Sequence, residues 1–166
     1  MSKNKVVLVT GGFDPIHKGH IEYFKEAKLL GDKLIVGLNS DHWLTRKKGK
    51  PFMDLENRAM VIQSLSMVDE VIIFNDEDNT SCHAIYQALQ FYDEVIFANG
   101  GDRLISNIPE YEKYGNDKRV KFVCNVGGDK TESSSWLLDK WRSPSTIRKW
   151  GYYKELYMGK GFKVKE

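Results

Sequence analysis

Short apolar runs rich in β-branched residues alternate along the chain with segments whose apolar positions recur every three or four residues. Such runs indicate buried parallel strands, and the longer period indicates helices packed against them. The pattern predicts strands over residues 5–10, 33–38, 70–74, 94–98 and 120–124. It predicts helices over residues 19–30, 55–65, 81–91 and 134–140, with Gly31 ending the first and Asp54 capping the second.

This alternation is typical of right-handed βαβ units. The predicted fold class is α/β: a Rossmann-like parallel five-stranded sheet with helices on both faces, formed by residues 1–142. Ligands of such sheets bind at the carboxyl ends of the strands. Residues 39–53 are expected to form a polar, basic connection, and the acidic residues 76–78 a solvated loop.

Composition adds limits on partners and compartment. The chain has 166 residues, 41% of them hydrophobic and 29% charged, which is typical of a globular domain. A net charge of +2 is too small to indicate a nucleic acid or a membrane partner. The first apolar run is too short for a signal peptide, and Cys82 and Cys124 have no metal or redox spacing, so we expect a cytoplasmic protein with free thiols.

The turn after the first predicted strand carries the candidate chemistry. Residues 11–20 read GGFDPIHKGH and lead from a strand into a helix. His17 and His20 are three positions apart and therefore share one face if the first turn is helical. A helix N-terminus attracts phosphate, and Gly19 lets a ligand approach the backbone closely. Two imidazole donors there suit the charge that develops on an α-phosphate during nucleotidyl transfer.

Other sites with overlapping residue types fit less well. A zinc site would require a third ligand or an H-E-x-x-H arrangement, and neither is evident. A dinucleotide site requires G-x-G-x-x-G after the first strand, and a P-loop requires G-x-x-x-x-G-K-[ST]. The turn over residues 11–20 has neither pattern.

The H-x-G-H of residues 17–20, following G-x-F-D, resembles the signature of the cytidylyltransferase-like nucleotidyltransferases. The wider pattern, over residues 5–142, is similar to glycerol-3-phosphate cytidylyltransferase and the heptose-1-phosphate adenylyltransferase domain. The resemblance implies transfer of a nucleoside monophosphate from CTP or ATP to a sugar phosphate or polyol phosphate, with release of pyrophosphate. It also implies that His17 and His20 stabilise the pentavalent α-phosphorus and that no covalent intermediate forms.

Three later segments also resemble parts of the family site. They are the basic run 46–50 with the E-x-R of residues 56–58, the Gly-Gly-Asp of residues 100–102, and the serine-rich segment 130–135. The resemblance implies that Lys47 and Arg58 assist catalysis by binding the triphosphate, and that Mg²⁺ is a cofactor held mainly by the NTP phosphates. The residues expected to bind the nucleotide are Gly12, Phe13, Asp14, Gly19, Lys50, Asp102, Thr131, Ser133 and Ser134.

Two alternative functions remain open at this point. One is an enzyme similar to pantetheine-phosphate adenylyltransferase, and the other is a non-catalytic nucleotide-binding module. The histidine pair argues against the module, since binding alone does not require both rings. The expected partners are an NTP, a small phosphorylated acceptor and, because family members are often dimers, a second copy of the chain; neither nucleic acid nor a membrane is expected.

Residues 143–166 differ in character from the rest of the chain. A Ser-Pro-Ser linker precedes W-G-x-Y and G-x-x-K-V-K-E phrases, which resemble the opening of the cupin domain of type II phosphomannose isomerases. We therefore expect a linker followed by the truncated start of a cupin-like domain. A C-terminal arm that packs on the domain or on a partner subunit is the alternative.

Overall fold

The computed structural model describes residues 4–101, 103–130 and 132–143. Its sheet and first five helices belong to the first of two compact units, which ends at Ser134. In chain order the elements are β1 Lys5–Gly11, α1 Lys18–Lys28, β2 Lys33–Leu38, α2 Asp41–Lys48, α3 Leu55–Gln63, β3 Glu70–Ile73, α4 Cys82–Ala88, β4 Glu94–Gly100, a 3-10 turn Ile105–Asn107, α5 Pro109–Tyr114, β5 Val120–Val126 and α6 Ser134–Arg142.

The five strands form one parallel sheet in the order β3-β2-β1-β4-β5. Leu8 of β1 pairs with Ile35 of β2 on one side and with Phe97 of β4 on the other. The direction of winding reverses between β1 and β4, so the carboxyl ends of these two strands flank the crevice in which sheets of this kind bind ligands. The predicted fold class is confirmed.

Helices cover both faces of the sheet because the side chains of the buried strands alternate. Val7 and Val9 of β1 pack with Phe24 of α1 and Ile62 of α3. Val6 and Leu8 of β1 pack on the other face, with α4 and the segment that contains α5. The strands thus contribute side chains to two separate hydrophobic layers, one on each face of the sheet, as the apolar runs predicted.

Most predicted boundaries lie within a few residues of the observed ones, and Asp54 does cap α3, since its Oδ1 accepts from the backbone N–H of Asn57. The predicted role of Gly31 is wrong. Leu29 is the C-cap of α1, in a right-handed conformation. Gly31 lies beyond it, where an added Cβ would stand 2.8 Å from Val7 Cγ2, so this glycine allows close packing on β1 rather than ending the helix.

Residues 39–53 are not simply a connection, because they contain α2. Ser40 caps this helix, and its Oγ accepts from the backbone N–H of Trp43 at 3.0 Å. The cap is held from outside by Asp76, whose carboxylate accepts from the Ser40 N–H at 2.7 Å, the Ser40 hydroxyl at 2.8 Å and Asn39 Nδ2 at 3.1 Å.

The prediction of a solvated acidic loop is therefore wrong at Asp76. This residue is 3% exposed. Its hydrogen bonds to Ser40 and Asn39 and the charge of Arg46 hold the pKa of its carboxyl below the ordinary value, although burial opposes the shift. Helix α5, which begins at Pro109, was not predicted either.

The predicted linker and cupin-like tail lie almost wholly outside the described residues, which end at Ser143. Within the part of the chain that the structure describes, no helix has the length and apolar character needed to cross a bilayer.

Candidate active site

The two histidines of the motif occupy the first turn of α1. His17 is the N-cap, and its Nδ1 accepts from the backbone N–H of Gly19 at 3.2 Å. His20 is the third residue of the helix, and its Nδ1 accepts from the His17 N–H at 3.3 Å. The rings stack with centroids 3.7 Å apart and planes 24° apart. Because both Nδ1 atoms accept, each neutral ring carries its proton on Nε2, where it can be donated to a ligand.

The surroundings favour the neutral form of both rings. Burial, helped by the charge of His17, lowers the pKa of His20 to about 3. Burial is also the main cause of the lowered pKa of His17; Lys130 and Lys18 lower it further, and Glu132 opposes them. At neutral pH the site therefore presents two imidazole N–H donors without a net charge.

Phe13 supports His20 from below. Its ring is buried and lies edge-on to both His20, at a centroid distance of 5.0 Å, and Phe24, at 4.9 Å. Its backbone is left-handed, with φ of 47°, a conformation that a bulky residue adopts only when its surroundings require it. The ring of Phe13 thus lies in the core next to the histidine pair, and the expected contact of this residue with the nucleotide stays a prediction.

Asp14 faces the protein. The residue is 3% exposed. Its carboxylate accepts from the backbone N–H groups of Phe52 at 2.7 Å and Met53 at 2.6 Å, and lies 2.5 Å from Lys48 Nζ. Both carboxylate oxygens of Asp14 therefore have partners within the protein. Asp14, expected at the nucleotide, therefore anchors the loop after α2 to the histidine motif.

Arg58 does not contact the cleft directly. The residue is 1% exposed. Its Nε donates to Met53 O at 3.1 Å, one terminal nitrogen donates to Gly12 O and Asn39 O at 2.9 Å each, and the other donates to Asp41 Oδ1 at 2.6 Å. The guanidinium joins the segments that surround the carboxyl ends of β1 and β2. Its contact with the triphosphate stays a prediction.

Lys47 lies among other cations. Its Nζ stands 4.4 Å from the centroid of the Trp43 ring. Although the side chain is exposed, local desolvation and the charges of Arg103, Lys48 and Lys130 lower its pKa. These cations follow β2, β4 and β5, so loops that are distant in sequence approach one another at the carboxyl edge of the sheet. Such a cluster attracts polyphosphate.

The segment after β5 reaches the histidine motif. Gly127 has φ of 86°, and an added Cβ would lie 2.9 Å from the Cα of Tyr23, so only glycine allows this turn to pass so close to α1. Further along, Ser134 Oγ donates to Pro15 O at 2.8 Å. Ser133 is buried. Both serines are thus near the motif, where they were expected.

The other predicted site residues are placed as follows. Gly12 lies under α2, where an added Cβ would meet Leu44 Cδ2 at 2.7 Å, and Gly19 packs against the ring of His17. Lys50 is exposed in the loop after α2. Asp102 and Thr131 lie outside the described residues. The ligand contacts of all these residues remain predictions.

Four charged residues to which the sequence patterns assigned no role also lie near the site: Lys48, Arg103, Lys130 and Glu132. All four act on the site through charge or ion pairing. These residues stand in or directly next to the segments after β2, β4 and β5 that resemble parts of the family site, and this position in the sequence could have identified them. Among the described residues, no group of three or more histidine, cysteine or acidic side chains is arranged to hold a metal ion.

Comparisons with known proteins agree with this geometry. Residues 8–164 match the model of the cytidylyltransferase-like family. The chain is 47% identical over 141 residues to Bifunctional protein HldE of Helicobacter acinonychis, covering 84% of this chain and 28% of the relative. It is 39% identical over 133 residues to the protein of that name from Wolinella succinogenes, covering 78% and 26%. The chain thus spans about a quarter of the length of these curated relatives.

A solved structure is similar over nearly its whole length. The lipopolysaccharide core biosynthesis protein from Thermoplasma volcanium aligns with a TM-score of 0.58 and 30% identity, covering 72% of this chain and 94% of that protein. Together with the family match, this confirms the resemblance drawn from the histidine motif. The chain belongs to the cytidylyltransferase-like family of nucleotidyltransferases.

Proposed function

We propose that this chain transfers a nucleoside monophosphate from ATP or CTP to the phosphate of heptose 1-phosphate or a similar sugar phosphate, and that it releases pyrophosphate. The observation that carries the proposal is the pair of stacked, neutral imidazoles whose Nε2–H groups remain to donate. The acceptor class is supported by the resemblance to the heptose-1-phosphate adenylyltransferase domain and by the lipopolysaccharide relative.

In the reaction, a phosphate oxygen of the acceptor attacks the α-phosphorus, and the bond from that phosphorus to the bridging oxygen of pyrophosphate breaks. Negative charge grows on the non-bridging α-oxygens, and the Nε2–H groups of His17 and His20 stabilise it. Such donors act best when they are fixed before the reaction, and here the backbone fixes both rings through Nδ1.

The cations around Lys47 neutralise the departing pyrophosphate. We propose that Mg²⁺ arrives with the NTP and is held by its phosphates, because the described residues near the site commit their carboxylates to protein groups, as at Asp14 and Asp76. A phosphate-bound Mg²⁺ would withdraw charge from the leaving group. We further propose a cytoplasmic homodimer, a state that sedimentation equilibrium would test.

The test is pyrophosphate release by the purified chain with each of the four common NTPs. The acceptors are heptose 1-phosphate, mannose 1-phosphate, glycerol 3-phosphate and phosphopantetheine. We expect turnover with ATP or CTP only when an acceptor is present, fastest with heptose 1-phosphate. Preference for phosphopantetheine would select the alternative enzyme, and NTP binding without turnover on any acceptor would indicate a binding module.

A further inference from the structure

The face of the sheet that packs against α4 and α5 becomes polar at its carboxyl edge. Large apolar side chains give way, two residues further along each strand, to small or polar ones. The changes are Ile35 to Gly37 in β2, Leu8 to Thr10 in β1, and Phe97 to Asn99 in β4. Asn99 belongs to this face because both its neighbours, Ala98 and Gly100, lie on the α1 side.

Polar groups from the helices complete this edge. Thr10 Oγ1 and Ser81 Oγ are 2.8 Å apart. The backbone N–H of Ser81 donates to Glu110 Oε1 at 2.5 Å, which fixes the carboxylate beside the start of α4. Glu110 is only 2% exposed and Asn99 only 4%. Asn99 lies next to Thr10, because both residues stand two positions beyond the paired Leu8 and Phe97 on neighbouring strands. We call these four residues the β1–β4 polar cluster: Thr10, Ser81, Asn99 and Glu110.

The cluster contains one donor and one acceptor that protein groups do not satisfy. Among the described residues, three buried side-chain polar atoms lack a hydrogen-bond partner, and two of them are Asn99 Nδ2 and Glu110 Oε2. Buried polar groups are nearly always paired, because leaving one unpaired is costly. A donor and an acceptor left unpaired in the same cluster therefore indicate a ligand with both functions.

The cluster lies where the reaction requires an acceptor. Thr10 and Asn99 end β1 and β4, between which the winding of the sheet reverses. The histidine pair stands at the start of α1, which packs on the opposite face. An α-phosphorus held by the histidines at the strand ends would thus have the cluster on its other side.

We propose that Asn99 and Glu110 bind hydroxyl groups of the acceptor and so select a polyhydroxylated phosphate. A hydroxyl accepts one hydrogen bond and donates another, which matches Asn99 Nδ2 and Glu110 Oε2. The inference rests on the proposed function and extends it to the residues that determine acceptor specificity.

The test uses two variants of nearly unchanged shape, Glu110→Gln and Asn99→Asp, each of which changes the hydrogen-bonding character of one unpaired atom. We expect each to raise the KM for heptose 1-phosphate at least about tenfold, since a site built to bond a hydroxyl loses its match, while the KM for the NTP stays within about twofold. Gln87→Met is the matched control. Gln87 Oε1 is the third unpaired atom, but Gln87 lies outside the β1–β4 polar cluster, and its Nε2 donates to Ile73 O.

A second measurement compares acceptors that differ in their number of hydroxyl groups. The wild-type KM should rise from heptose 1-phosphate to mannose 1-phosphate to glycerol 3-phosphate as hydroxyl groups are lost, and this series should flatten in both variants. An unchanged acceptor KM, or a rise in the KM of the NTP alone, overturns the inference. Calorimetric titration of heptose 1-phosphate with a non-hydrolysable NTP present gives the same comparison without turnover, so equal affinity of wild type and Glu110→Gln refutes the specificity assignment even if pyrophosphate release has failed.

Discussion

His17 and His20 serve the backbone and the ligand at once. Each Nδ1 satisfies an N–H group of the first turn, a task that serine and glutamate perform in an ordinary capping box. The same hydrogen bonds set the tautomer and therefore direct the remaining N–H of each ring away from the helix. In each ring Nδ1 stabilises the helix start and Nε2 is left for the ligand. A substitution that replaces only the first function can therefore separate the two.

We expect His17→Asn and His20→Gln each to reduce turnover by about 10²-fold or more while the melting temperature changes little. Asparagine is a good N-cap and glutamine fits the third position of a capping box, so the hydrogen bonds at the helix start are retained. The imidazole donor is lost, and one preorganised donor is worth roughly 10²–10³ in rate. Steady-state pyrophosphate release and thermal unfolding measure the two effects. Near wild-type rates in either variant would remove that ring from the mechanism.

The low pKa of His20 also makes stability depend on pH. Its pKa falls from 6.5 to about 3 on folding, so between these values the unfolded chain binds a proton that the native protein does not. This contribution is complete above pH 6.5 and is lost as the pH falls, by up to about 1.4 kcal/mol per pH unit. Urea unfolding between pH 4 and pH 7 should show a shallower slope in His20→Gln. The control His42→Gln, at an exposed position on α2, should keep the wild-type slope.

At the scale of elements, the strands could be predicted because they are continuous apolar runs, which few other structures produce. Helix α2 could not be predicted, because Leu44 is its only buried residue and its eight positions form no apolar stripe. Its start depends on Asp76, which lies 36 residues from Ser40 in sequence. A contact over that separation leaves no local pattern.

The candidate site was predictable to a similar extent. The order of strand, glycine turn and two histidines identified the motif, and the strand ends identified the edge at which the loops meet. The direction of Arg58 was not predictable, because its four hydrogen-bond acceptors come from three separate parts of the chain, at residues 12, 39–41 and 53. The sequence indicated that Arg58 is a cation near a phosphate site, but it gave no indication that the side chain is buried.

Arg58→Lys tests whether this buried guanidinium joins α2, α3 and the histidine motif. An ammonium group cannot reach all four acceptors in that fork geometry, so we expect a loss of about 2–4 kcal/mol in the free energy of unfolding. Arg46→Lys is the control, since Arg46 is half-exposed and bonds Asp76 O and Asn79; it should cost less than about 1 kcal/mol. Urea unfolding gives both values. Equal losses in the two variants would show that the buried hydrogen bonds of Arg58 add nothing to the free energy of unfolding.

At the scale of the whole molecule, the net charge of +2 conceals an uneven distribution. Lys47, Arg103 and Lys130 lie at the carboxyl edge of the sheet, where local burial and then the repulsion of these neighbouring charges lower the pKa of Lys47. Near the amino ends of the strands, Lys121 is instead paired with Glu94 at 2.9 Å. Several cations thus act on one another at the edge of the sheet where the histidines lie, and a triphosphate would relieve their repulsion.

This distribution predicts that NTP binding is electrostatic and local. Lys47→Gln should raise the KM for the NTP about tenfold at low salt, because it removes one charged contact with the triphosphate. Lys121→Gln changes the net charge equally but lies near the opposite edge, so its KM should match that of the wild type. Since salt screens exposed charges beyond about 10 Å at 0.1 M, raising ionic strength should weaken wild-type binding more than that of Lys47→Gln. Equal effects of the two substitutions would mean that overall charge, rather than the cations at the carboxyl edge, attracts the nucleotide.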